Sequence, residues 1–130
     1  MIVGSICLVS HSSLMNPAPS ASEHAHQRAL VAWFRQTYPD QTLFAIPNGG
    51  KRSPTTAARL RAEGVMAGVP DLFWLEAHCW IELKTPKGRL APNQREFLER
   101  AEASGYRTAV GYGFEDAREK ILAIANGLAL

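Results

Sequence analysis

The stretch Pro70-Asp71-Leu72-Phe73-Trp74-Leu75-Glu76-Ala77-His78-Cys79-Trp80-Ile81-Glu82-Leu83-Lys84 decides how this chain folds. Asp71 to Leu75 and His78 to Leu83 read as two strands separated by Glu76-Ala77. In a strand alternate residues share a face, so Glu82 and Lys84 point the same way, together with Trp80. The loop decides whether Asp71 joins them. A two-residue Glu76-Ala77 turn sets Asp71 directly opposite Glu82, and a four-residue loop sets it opposite Lys84, still on that face. A three-residue loop sends it to the other face unless a bulge restores it. Alternating Glu and Lys is common on exposed sheets. Here Trp80, Ile81 and Leu83 on one strand, and Phe73-Trp74-Leu75 on the other, make the hairpin too apolar for a freely solvated edge. Charges on such a hairpin are costly unless partnered, and buried charges of this kind are more often functional than decorative.

Working outward, Ser20-Ala21-Ser22-Glu23 has the S-x-x-E form of a capping box and predicts a helix start. Leu30, Val31, Trp33 and Phe34 give that helix an apolar face, and it should end before Pro39. Thr42 to Ile46 is a short strand ending at Pro47, followed by an Asn48-Gly49-Gly50 turn. Pro54 to Glu63 is a second helix, opened after Ser53 and closed at Gly64. Beyond the hairpin, Pro92 to Ser104 is a helix with Phe97, Leu98 and Ala101 inward. Tyr106 to Tyr112 is a strand, and Phe114 to Ala125 a last helix. The order α, β, α, β, β, α, β, α predicts an α/β protein with a mixed central sheet flanked by helices.

At 130 residues, 46% hydrophobic and 20% charged, the chain suits a single globular domain with a real core. No apolar run reaches the roughly 18–20 residues that span a bilayer, so no membrane partner is expected. Cys7 and Cys79 are too few for a disulfide framework or a zinc site. Cys79, inside an apolar run, should act as a small hydrophobe. Ile2 to Ser10 hints at a secretory segment, but no Lys or Arg precedes Arg28. Met15 before Asn16-Pro17-Ala18-Pro19-Ser20 offers a second start. Residues 1–20 are therefore read as a disordered or mis-assigned extension, residues 21–130 as the domain, and the protein as cytoplasmic.

The net charge of +2 excludes little. Its distribution says more. Lys51, Arg52, Arg59 and Arg61 form one acid-free segment, and Lys84, Lys87, Arg89 and Arg95 another. Glu96, Glu99, Glu102, Glu115, Asp116 and Glu119 gather elsewhere. The basic segments could form one phosphate-facing surface or be ordinary solvated loops. Lys51 and Arg52 suit phosphate contacts beside the small-residue turn.

Two carboxylates on neighbouring strands make a hard-oxygen site suited to Mg²⁺ or Mn²⁺. Gln94 shares a helix face with Phe97, Leu98 and Ala101, so it should point at the sheet, or else satisfy backbone groups at the helix start. Glu23 shares a face with Gln27, Leu30 and Phe34, or else is the capping partner of Ser20. His24, His26 and His78 share no face and are read as bland.

Asp71, Glu82 and Lys84 complete the pattern P-D-x₁₀-E-x-K, which resembles the signature of the PD-(D/E)xK nuclease superfamily. The run Gly64-Val65-Met66-Ala67-Gly68-Val69-Pro70-Asp71-Leu72 resembles its VRR-NUC branch. So do an N-terminal helix bearing Glu23, the Asn48-Gly49 turn, and Gln94 after the E-x-K strand. The resemblance covers roughly residues 22 to 125. It implies a restriction-endonuclease-like core and a metal-dependent DNA endonuclease with a catalytic set of Asp71, Glu82, Lys84, Gln94 and Glu23. Asp71, Glu82 and the Leu83 backbone carbonyl would hold Mg²⁺ or Mn²⁺, with Glu23 directly or through water. Asn48, Gly49, Lys51, Arg52, Lys87 and Arg89 would meet DNA. Stand-alone members resemble phage and prophage enzymes that act as homodimers on branched DNA, including four-way (Holliday) junctions, with no small-molecule cofactor.

Two other readings compete. A non-catalytic or sequence-selective DNA-binding protein of the same fold would normally have lost an acidic or lysine position, and here all are present. A metabolic enzyme would call for a cofactor loop such as G-x-G-x-x-G, and Gly111-Tyr112-Gly113 is too little.

Overall fold

The hairpin closes with even parity. A computed structural model describes residues 16–47 and 51–128 of the chain. Among these, Leu72 pairs with Ile81, Phe73 with Trp80 and Trp74 with Cys79, all antiparallel. One further step along this register sets Asp71 opposite Glu82, the placement a Glu76-Ala77 turn demands. The His78 N–H donates to the Leu75 carbonyl at 3.1 Å. His78 itself sits at φ 51°, in the left-handed region that ends such a turn. Glu76 anchors the turn by accepting from the Thr42 amide at 2.7 Å and the Thr42 hydroxyl at 2.8 Å.

Around the hairpin the described elements follow the expected order. They are α1 (Glu23–Thr37), β1 (Leu43–Ala45), α2 (Pro54–Ala62), β2 (Leu72–Trp74), β3 (Cys79–Lys84), α3 (Pro92–Ala103), β4 (Arg107–Tyr112) and α4 (Phe114–Gly127). The sheet runs β1-β2-β3-β4. The β1–β2 and β2–β3 pairs are antiparallel and β3–β4 is parallel, so the sheet is mixed. The parallel step requires a crossover, and α3 supplies it. Strand β3 is thus central, which is why its sequence is nearly continuous in apolar residues.

Strand alternation divides the sheet into two unlike faces. Leu43, Leu72, Trp74, Cys79, Ile81 and Leu83 form one face and are all buried. They pack with Leu30, Trp33 and Phe34 of α1 and with Phe114, Ala117, Ile121 and Ala125 of α4. Each such side chain contributes on the order of 1.5–3 kcal/mol by leaving water. Helix α4 lies so close to β4 that a Cβ on Gly111 would stand 2.4 Å from the Ala117 Cβ. Cys79 belongs to this core, where burial pushes its thiol up to about 12. The opposite face carries Phe44, Phe73, Trp80, Glu82 and Lys84, with α3 against it through Phe97 on Trp80 at 5.0 Å between ring centroids.

Two local expectations are corrected. Helix α1 is capped by Ser22, whose side chain accepts from the Ala25 amide at 3.1 Å. Ser20 instead lies in a turn closed by the Ala21 amide on the Ala18 carbonyl at 2.9 Å. The Ser20–Glu23 capping box therefore does not form. His26, read as bland, is 2% exposed. Its Nδ1 accepts from the Phe114 amide at 3.0 Å, joining α1 to the start of α4. Its spacing of four, seven and eight from Leu30, Trp33 and Phe34 places it on the buried face. Among the described residues no helix is long and apolar enough to cross a membrane. The expected Asn48-Gly49-Gly50 turn and residues 1–15, Cys7 among them, lie outside the described residues.

Candidate active site

Glu82 is a carboxylate in the middle of an apolar sheet. It is 2% exposed, and its position on β3 is forced because Ile81 and Leu83, on either side, are needed in the core. One of its oxygens, Oε2, receives the Gln94 side-chain amide at 3.1 Å and faces the Lys84 ammonium at 3.7 Å. The other, Oε1, is buried and has no hydrogen-bond partner among the described residues. An unsatisfied buried carboxylate oxygen is costly, so the site holds a vacant acceptor in a low-dielectric setting.

Asp71 stands beside it. Just before the start of β2, its Oδ2 accepts from the Leu83 amide at 2.8 Å. The two carboxylates stand close enough for each to act on the other's ionisation. Burial raises Asp71 above the ordinary carboxylate range, while the Leu83 amide, then Lys84, Glu82 and His24, pull it back. Glu82 is pushed up to about 8, by burial first and by the Asp71 charge second. Lys84 opposes that push and Glu23 adds to it. Two acids that resist ionising together, next to one lysine, form a site short of positive charge.

The loop before Asp71 is held against α3. Gly68 sits at φ +93°, and a Cβ there would lie 2.8 Å from the Asn93 carbonyl oxygen. Pro70 is buried, and the Asp71 carbonyl accepts the Ile46 amide at 2.9 Å. At the far end of β3 the Gly113 amide donates to the Lys84 carbonyl at 2.7 Å. Gln94 resolves its two sequence readings by filling both. Its Oε1 accepts the Ala91 amide at 2.8 Å, so its NH₂ group is the one turned toward Glu82.

Asp71, Glu82, Lys84 and Gln94 are therefore brought together. Glu23 opens α1, exposed, near enough for its charge to act on Glu82. It does not close a donor cluster, since no group of three His, Cys, Asp or Glu poised for a metal occurs among the described residues. Two carboxylates, one with an orphaned oxygen, nevertheless fit a hard divalent cation completed by backbone carbonyl or water. Lys51 is exposed ahead of α2, and Arg52 donates to the Pro47 carbonyl at 3.0 Å, spanning residues 48–50. Lys87 and Arg89 are exposed beyond β3. Asn48 and Gly49 lie outside the described residues. Sequence reasoning passed over His24, whose charge reaches Asp71. The missed signal is its place beside Glu23 at the start of α1.

The VRR-NUC domain family model matches residues 21–115. A solved structure described as a VRR_NUC domain protein superposes with a TM-score of 0.68 at 22% identity, covering 82% of this chain and 90% of that one. At that identity the likeness speaks for the fold. No curated protein matches the chain in sequence.

Proposed function

The chain belongs to the VRR-NUC domain family, a family of nucleases acting on DNA, and from that premise we propose that it is a Mg²⁺- or Mn²⁺-dependent DNA endonuclease centred on Asp71, Glu82 and Lys84. The observation that carries this reading is Glu82, buried with Oε1 unsatisfied next to a second raised carboxylate. Asp71 and Glu82 would hold the cation. The Leu83 carbonyl would join them, because a strand residue directs its N–H and C=O to the same side and the Leu83 N–H already reaches Asp71. Bound there, a divalent cation lowers the pKa of water and neutralises phosphoryl charge.

The protein groups have separate tasks. Lys84, 12% exposed in its side chain, places a fixed cation beside Glu82 and stabilises charge gathering on the phosphate during attack. Gln94 holds Glu82 in one orientation. Glu23, freed from capping, would reach the cation through water. Lys51, Arg52, Lys87 and Arg89, with Asn48 and Gly49, would meet the DNA backbone, which gives shape rather than sequence recognition. Symmetric cutting of a four-way junction needs two active sites related by a two-fold axis, and a homodimer provides them.

A cleavage panel tests this reading, with junction, flap, duplex and single-stranded DNA incubated with Mg²⁺, Mn²⁺ or EDTA. Metal-dependent cutting of the junction, leaving a 5′-phosphate, is the expected result. Asp71→Asn keeps an acceptor for the Leu83 amide, so the variant should fold yet lose cleavage by at least about 10²–10³-fold. Full activity in purified Asp71→Asn would overturn the assignment. Strong preference for one short duplex sequence would replace branch selectivity with sequence-selective action.

A further inference from the structure

The face that carries Glu82 also carries a row of aromatic rings that neither the core nor the candidate catalytic groups account for. Phe44 meets Phe73 at 5.9 Å, Phe73 meets Trp80 at 4.5 Å, and Trp80 lies nearly parallel to Tyr106 at 6.3 Å with an interplanar angle of 12°. Phe44 is 42% exposed and Tyr106 41%. At the Tyr106 end the row floors a groove of about 510 Å³. Trp80, Phe97 and Tyr106 line it, together with Met66, Asn93, Glu96 and Arg100. Its volume falls in the range of small-molecule sites, roughly 300–1,000 Å³.

We propose that this groove is a stacking subsite for one unpaired nucleobase of the DNA, beside the phosphate that a cation at Asp71 and Glu82 would engage; the proposal rests on the nuclease reading above. Three features choose this occupant. Trp80 and Glu82 are two residues apart on one face of β3, about 6.6 Å along the strand. Asn93 in the lining directly precedes Gln94, which touches Glu82. Groove and candidate catalytic pair are thus neighbours on one face of the sheet. The Trp80–Tyr106 stack offers flat π-surface, which binds any base but only once that base has left its own stack. Asn93 can meet a base edge, and Arg100 offsets the acidic Glu96 in the same lining and can meet a phosphate. Bases within an intact duplex have no free face, so the subsite selects branch points, gaps and frayed ends.

The test uses the full chain in EDTA and a junction carrying 2-aminopurine as an unpaired base at the branch. Wild type should quench the probe on binding. Tyr106→Phe should retain the quench. Tyr106→Ala and, elsewhere in the lining, Met66→Gln should lose it. Both should weaken binding to the unpaired site by about ten-fold more than binding to fully paired duplex. The same DNA is then given Mg²⁺. Cleavage without any quench overturns the subsite and leaves the nuclease reading standing. Quench without cleavage keeps the subsite and sinks the endonuclease. A change of molar mass in Tyr106→Ala with the quench intact would show that a second copy of the chain occupies the groove, and overturns the proposal.

Discussion

The side-chain amide of Gln94 donates to Glu82 Oε2 at 3.1 Å only because its own carbonyl oxygen is already held by the Ala91 amide at 2.8 Å. The start of α3 thereby sets the orientation of a carboxylate in the neighbouring sheet. A helix terminus and a strand are coupled through one side chain, and the coupling fixes which Glu82 oxygen remains unsatisfied.

Gln94→Ala removes that coupling while leaving the two carboxylates and the lysine in place. Loss of a group that orients a ligand commonly reduces metal affinity or activity by about 10–100-fold. The expected outcome is a fall of that size in Mg²⁺-dependent cleavage, with a higher Mg²⁺ requirement and an unchanged far-UV circular dichroism spectrum. Wild-type metal dependence in Gln94→Ala would leave the amide with a capping role alone.

Stability in the absence of metal should fall as the pH rises. Glu82 has its pKa raised from 4.5 to about 8 on folding, by burial first and Asp71 second. The folded protein therefore keeps a proton that the unfolded chain has released. The stabilisation from this group is complete below about pH 4.5 and lost as the pH climbs through about 8. Asp71, also raised, acts in the same direction at the acid end. Urea melts in EDTA from about pH 5 to about pH 9 should show the decline, and Glu82→Gln should flatten it. Identical profiles for both proteins would contradict a buried titrating carboxylate. Added Mg²⁺ should stabilise more at the alkaline end, because proton and cation compete for the same oxygens.

Two glycines should tolerate no side chain, for different reasons. Gly68→Ala places a Cβ 2.8 Å from the Asn93 backbone at φ +93°. The strained backbone alone costs about 1–3 kcal/mol. Because Asn93 precedes Gln94, cleavage should fall beyond what the lost stability explains. Gly111→Ala instead drives a Cβ to 2.4 Å from the Ala117 Cβ on the other face. It should lower the melting temperature and leave the activity of the folded fraction near wild type. Equal activity losses per folded molecule would mean that the Gly68 loop does not position the site.

Lys51, Lys87 and Arg89 are exposed and flank the site in sequence. If each meets a phosphate, alanine at any one should lower the slope of log affinity against log salt by about 0.9 on duplex DNA. The weakening should be similar for unrelated sequences. An unchanged slope in all three would remove them from the DNA interface.

Much of this was legible in the chain. The apolar periods of β3 and α1 called for a strand inside the sheet and a helix packed on it, and Ile81, Leu83, Leu30 and Phe34 are buried together in one core. Alternation alone put Glu82 and Lys84 on one face. Propensity could not choose among neighbouring caps. Ser20 and Ser22 are equally good caps by type, and the choice of Ser22 followed from the turn that takes up Ser20. His26 carried a helical spacing that marked it as buried, yet its partner, the Phe114 amide, is 88 residues away and invisible to any local pattern.

The residue types of the site and their alternation along β3 could be read from the chain alone, because side-chain direction in a strand has a fixed period of two. Hairpin parity, the burial of Glu82 and the use of both ends of Gln94 were decided only by tertiary structure. Each depends on contacts between segments whose separation in the chain leaves no local trace. The Leu72–Ile81 register put Asp71 opposite Glu82, and the packing of α3 against the sheet brought Gln94 to the same carboxylate. Closing both around Glu82 left one of its oxygens without a hydrogen-bond partner among the described residues.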